Sequence, residues 1–136
     1  MTAKEYLNRV RRQYYVVKQA EEELTAIKAD ILSLKASSMT EHVSGTKESD
    51  LADKYIKLEK YFAAVIAEWD KLIDMRIEAK AMIRSLPDET QQAVLYARYI
   101  NCKRWEDIAS GMGYSWKHIF RLHGKALQSF ATIHQM

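Results

Sequence analysis

Residues 105–122 read Trp-Glu-Asp-Ile-Ala-Ser-Gly-Met-Gly-Tyr-Ser-Trp-Lys-His-Ile-Phe-Arg-Leu. Two helices that cross at a tight turn need a small residue where they touch, and Ala109 supplies one. Four residues later the chain must turn sharply. Gly113 tolerates the left-handed backbone that such a turn demands. Ser115 is of the type that caps a following helix. Ile108, Met112, Ile119 and Leu122 fall at offsets that bury them between the two helices. The spacing predicts a helix-turn-helix.

In this motif the second helix enters the major groove of DNA with its N-terminal residues toward the bases. The candidate DNA-binding residues are therefore Ser115, Trp116, Lys117, His118, Arg121 and Lys125. Lys117 and Arg121 are four apart and share a face, and Lys125 continues it toward the DNA backbone. Arg121 suits guanine reading or a phosphate contact, and Lys117 suits either as well. Trp116 has two roles open to it: contact with a thymine methyl or sugar, or packing on Tyr114 or the third helix. Phe120, also outward, is expected to pack on the third helix or on a partner. After Met112 the chain has no Asp or Glu, although its net charge is only +3. The positive field is thus concentrated at the C-terminal end, which suits a phosphate-bearing partner. A solvated basic helix face has the same pattern.

Upstream, Ser85-Leu86-Pro87-Asp88-Glu89 interrupts the helical periodicity. Pro87 suits the first position of a helix, and Asp88 and Glu89 suit its positive end. A third helix is expected from there to about Ile100. Before the interruption, Leu51, Leu58, Val65, Leu72, Ala79 and Leu86 recur every seven residues. Tyr55, Phe62, Trp69 and Ile83 fill intermediate positions, with Arg76 as the polar exception. This is a coiled-coil-like seam. Ile66, Ile73 and Ile77 widen the stripe beyond what one partner helix covers.

Thr2 and Glu5 form a capping box that opens a first helix. Its stripe is Leu7, Val10, Tyr14, Val17, Leu24, Ile27, Ile31 and Leu34, interrupted at Glu21. From Ser37 to Ser49 polar and small residues crowd together, predicting a loop with Thr46 or Ser49 as the next cap. The expected fold is all-α: a long antiparallel helical hairpin over 1–85, followed by a helix-turn-helix domain over 86–136. The hairpin is expected to join two or more copies of the chain.

The residues Val94-Leu95, Arg98-Tyr99, Trp105 to Ala109, Met112 to Ser115 and Arg121 to Leu127 resemble region 4 of bacterial sigma factors. With the Leu86-Pro87-Asp88 junction, the chain resembles small phage and prophage proteins of Gram-positive bacteria, near the ArpU-type late regulators. The resemblance is close over about 86–130 and reaches the N-terminal half in layout alone. It implies a sequence-specific, DNA-binding regulator of phage transcription, with host RNA polymerase as a second partner. It does not imply a complete sigma factor, because nothing here resembles the promoter-melting region. Trp116, Lys117 and His118 also replace the arginine- and glutamate-rich row of sigma factors.

Other chemistries lack support. Gly111-Met112-Gly113 is a lone G-x-G within a turn, and Gly124-Lys125 lacks the rest of a P-loop. His118, His123 and His134 contain no i, i+4 pair to share a metal, and His123 is expected to pack on the third helix. No enzyme activity, metal or cofactor is expected. The single cysteine, Cys102, suits a reducing compartment. No apolar run approaches the ~18 residues of a membrane span, so the bacterial cytoplasm is the expected location. A DNA-packaging factor of the small-terminase kind, or an adaptor that has lost DNA binding, are the alternatives. The first usually carries its DNA-binding part at the opposite end of the chain.

Overall fold

The computed structural model describes the backbone of residues 1–40 and 45–136, and the side chains of residues 1–36 and 49–136. Every regular element among the described residues is helical. They are α1 (Ala3–Thr40), α2 (Gly45–Arg84), α3 (Glu89–Leu95), α4 (Trp105–Met112) and α5 (Trp116–Ile133). No helix among the described residues is long and apolar enough to cross a membrane.

The capping box opens α1 as expected. Thr2 N–H donates to Glu5 Oε2 (3.0 Å) and Glu5 N–H donates to Thr2 Oγ1 (3.1 Å). Residues 37–40 and 45–49 of the loop expected over 37–49 are helical. Helix α1 runs on to Thr40, and α2 already starts at Gly45, so Thr46 and Ser49 lie inside it rather than capping it. Serine and threonine cost only tenths of a kcal/mol within a helix, and neither proline nor glycine stands in 37–44 to end α1 sooner. The remaining part of that expected loop, 41–44, lies outside the described residues.

Packing divides the chain into two compact units, Tyr15–Lys71 and Met1–Tyr14 together with Leu72–Met136. In the first, Val17, Leu24, Ile31 and Val65 are buried between α1 and α2. Trp69 Nε1–H donates to Glu21 Oε1 (2.9 Å), Lys54 pairs with Asp30 (3.4 Å), and Lys35 lies over the Tyr55 ring (5.3 Å). From Glu21 to Lys35 on α1 the partner moves back from Trp69 to Tyr55 on α2, so the helices run antiparallel here. Glu21 breaks the apolar stripe because the Trp69 indole needs an acceptor where it is half-buried. The heptad seam therefore closes within one chain at Val65 and Trp69.

The second unit holds the larger core. Leu7, Leu72, Ile83, Leu86, Val94, Leu95, Tyr99, Ile119 and Phe130 are all at most 2% exposed. The start of α1 belongs to this core. The Tyr6 ring stacks on Phe130 of α5 (6.0 Å between centroids), and its hydroxyl donates to Glu78 Oε1 of α2 (2.7 Å). Burial and that carboxylate push the Tyr6 phenol well above its ordinary range. Arg76, the polar exception in the heptads, lies over the Tyr14 ring (5.5 Å). His134 Nε2–H donates to the Met82 carbonyl (2.8 Å), which ties the C-terminus to the end of α2. The packing division thus falls at 14/15 and 71/72, whereas the chain changes helix at 85–88.

Asp88 is the N-cap of α3. Its Oδ1 accepts from the N–H groups of Thr90 (2.8 Å) and Gln91 (3.0 Å). Pro87 therefore precedes the cap instead of opening the helix, because the aspartate can accept those two donors and proline cannot. Helix α3 continues directly into a π turn, Tyr96–Ile100. The wider turn brings Tyr99 and Ile100 onto the same buried side as Val94 and Leu95, five residues back. Cys102 then takes a left-handed backbone (φ 54°) and the chain leaves the helix.

Gly113 ends α4 with φ 69° and ψ 32°. A Cβ built there would meet nothing within 4 Å, so the need for glycine is conformational. Gly113→Val is expected to destabilise the fold by more than ~1 kcal/mol, because a β-branched residue resists positive φ. Gly113→Asn should cost clearly less, because asparagine tolerates this region. Denaturant melts of the two variants check this, and equal losses would point to a clash instead.

Candidate nucleic-acid interface

Helices α4 and α5 meet at the residues that the sequence singles out. Ile108, Ala109 and Ile119 are buried, and Met112 and Leu122 are half-buried. Ser115 caps α5, its Oγ accepting from the His118 N–H (3.2 Å). That hydroxyl is thus committed to the helix end, although the residue itself is exposed.

The side of α5 opposite Ile119 carries the other candidates. Trp116, Lys117, His118, Arg121 and Lys125 are all exposed. Among the described residues, no acid pairs with Lys117, Arg121 or Lys125. The nearby acids of α4 are occupied by Arg104, which reaches Asp107 (3.2 Å) and Glu106 (3.6 Å). Those exposed pairs add little stability, but they offset the negative end of the motif.

The aromatic residues arrange themselves differently from expectation. Trp116 packs on Phe120 (5.5 Å), one turn along its own helix. Tyr114 instead covers the His118 ring (4.1 Å). Phe120 in turn meets Trp105 at the start of α4 (5.1 Å), beside Arg98 and Tyr99 of the π turn. Trp116 and Phe120 nevertheless remain 51% and 45% exposed, so an apolar strip borders the basic face.

Behind that strip lies a polar network. His123 is buried, and its Nε2 shares a 2.7 Å hydrogen bond with the Tyr99 hydroxyl of the π turn. The edge of Trp105 packs against the imidazole (4.6 Å). Burial, reinforced by the positive charges of Lys4 and Arg98, lowers the His123 pKa to about 4. Burial likewise pushes the Tyr99 phenol up to about 12. At neutral pH both groups are uncharged. Arg98 stacks over the Trp105 ring (4.5 Å) and donates from Nη1 to the Lys103 carbonyl (3.0 Å). The packing of His123 on the π turn follows from its inward position on α5. The Arg98–Trp105 stack has no local sequence signal.

Cys102 is half-buried, with its thiol near the carbonyls of Tyr99 and Ile100 (both 3.8 Å). Burial raises its pKa, while Arg11 and Arg76 pull the other way. A thiol so held is mostly protonated and a weak nucleophile. Among the described residues, no three of His, Cys, Asp and Glu gather as a metal site.

The His123 shift has a consequence for stability. Its folded pKa lies below the unfolded value of 6.5. Between these values the unfolded chain binds the extra proton, so stability present above pH 6.5 is lost as pH falls toward 4. The melting temperature is expected to drop across this window, and His123→Phe should flatten that part of the profile. Thermal melts of both proteins from pH 7.5 to 4 check it; parallel profiles would assign the loss to other groups.

No curated protein and no solved structure matches the chain. A family match does cover residues 32–131, from the latter part of α1 through nearly all of α5. The chain therefore belongs to the DUF1492 family, described as proteins of unknown function.

Proposed function

We propose that the chain is a sequence-specific duplex-DNA-binding protein that regulates phage or prophage transcription through the outward face of α5. The supporting observation is the row Lys117, Arg121 and Lys125, exposed on one helix with no acid among the described residues paired to it. The motif's docking geometry would bring this row to phosphates and base edges together. Ser115 and His118 stand at the end that enters the groove first, and Trp116 flanks it with an apolar surface suited to a thymine methyl. The resemblance to sigma region 4 supports the same assignment and adds host RNA polymerase as the second partner.

The exposed pair Trp116 and Phe120 favours a second reading, an adaptor that binds protein through this face. A salt titration on the selected duplex and on random duplex separates the two. Arg121→Ala is expected to cost roughly 1–3 kcal/mol on the selected site and little on random DNA. Lys125→Ala should weaken both and reduce the salt slope by about one. If the Lys117, Arg121, Lys125 triple alanine variant binds the selected duplex as well as wild type does, the adaptor reading takes over.

Self-association through the hairpin belongs to the same proposal. Within the Tyr15–Lys71 unit, Tyr55, Phe62 and Ile66 flank the intrachain seam and stay exposed, at 37%, 52% and 46%. A second copy would pair this flank with its own, since an isologous contact presents the same patch twice. Sedimentation should show a dimer for wild type and a monomer for Phe62→Glu. A monomeric wild type at high micromolar concentration rejects the pairing.

A further inference from the structure

A cleft of about 310 Å³ opens beside the aromatic strip, entirely within the unit that contains the helix-turn-helix. Lys4 and Arg11 of α1 form one wall, and Arg98 of the π turn forms another. No carboxylate lines it. Trp105 and Phe120 supply flat apolar surface, and His123 closes the cleft beneath them.

This combination selects a chemistry. Three cations with no acid among them favour an anion, and guanidinium groups match the oxygen geometry of phosphate. The field extends inside the cleft: Lys4 and Arg98 both disfavour a proton on His123. Aromatic rings stack planar heterocycles; Arg98 already covers one face of Trp105, so the ring that is open to such a contact is Phe120, 45% exposed. The volume sits at the small end of the ~300–1,000 Å³ range of ligand pockets. It suits one ring system with one phosphate better than a dinucleotide or a peptide.

We propose that this cleft binds a small anionic ligand made of a phosphate and a planar ring, the chemistry of a nucleoside monophosphate. Its side chains come from α1, the π turn, α4 and α5, so a bound ligand bridges elements that are far apart in sequence. The site is separate from the basic row of α5, and its occupancy is measured without DNA. The two proposals therefore stand or fall independently.

The test is an NMR titration of the full chain, followed at the Trp105 indole N–H and the His123 ring protons. The probes are AMP, GMP, CMP and TMP, then the matching nucleosides, inorganic phosphate, and a short duplex. At least one mononucleotide is expected to shift both signals saturably at submillimolar concentration. Its nucleoside and inorganic phosphate should bind at least tenfold more weakly. Lys4→Glu adds a carboxylate at an exposed position in the first turn of α1, where an acid suits the helix N-terminus. This variant should melt like wild type and bind the mononucleotide at least tenfold more weakly. No saturable shift up to several millimolar overturns the proposal. So does unchanged affinity in the Lys4→Glu variant. A response to the duplex alone also overturns it, and assigns the cleft to a nucleic-acid backbone.

Discussion

The short helices α3 and α4, with α5, depend on apolar surface that they do not themselves contain. Helices α3 and α4 are seven and eight residues long, and domains of about fifty residues bury too small a share of their surface to be stable easily. The deficit is met by the first turns of α1 and the last turns of α2. Tyr6 stacks on Phe130, Leu7 is fully buried, and Leu72, Ile83 and Leu86 complete the interior. Tyr6 also anchors α1 to α2 through Glu78. Helix α5 is therefore held at its C-terminal end by α1, while Trp116, Lys117, His118 and Arg121 near its N-terminal end are exposed.

That arrangement explains how a chain with a net charge of only +3 presents a basic surface. The acids lie before Met112, most of them along α1 and α2, with Asp88 and Glu89 at the start of α3 and Glu106 and Asp107 at the start of α4, where Arg104 pairs with the last two. The C-terminal region after Met112 carries none. Helix α5 buries its apolar side, Ile119, Ala126 and Phe130, and so its three cations converge on solvent. Uncompensated charge of this kind costs little in water and gains strongly against a polyanion through counterion release.

Much of this was legible in the sequence because the deciding constraints are local. Ala109, Gly113 and Ser115 each answer a demand of backbone geometry within a few residues, and the heptads mark the buried side from Val65 to Leu86, whereas Tyr55 and Phe62, expected in the same seam, stay exposed. The long-range constraints left no such trace. The cation-lined cleft is not visible until α1 is folded against α5, because Lys4 and Arg11 lie about a hundred residues from Trp105. The inward position of His123 is legible, but its bond to the Tyr99 hydroxyl is not fixed by spacing alone. The ring contact of Phe120 with Trp105 of α4 has no local signal either. Composition misled at 37–40 and 45–49, where serine and threonine resemble a loop but are tolerated in a helix. For Pro87, the neighbouring aspartate proved the stronger cap.

The central claim is that α5 is the surface that meets DNA. Amide chemical-shift mapping of the full chain with a duplex selected from random sequence tests it most directly. The account expects the largest shifts at residues 115–125, an effect spread to Trp105 through Phe120, and no change along Tyr15–Lys71. Shifts confined to the hairpin, or none on α5 at saturating duplex, would contradict it.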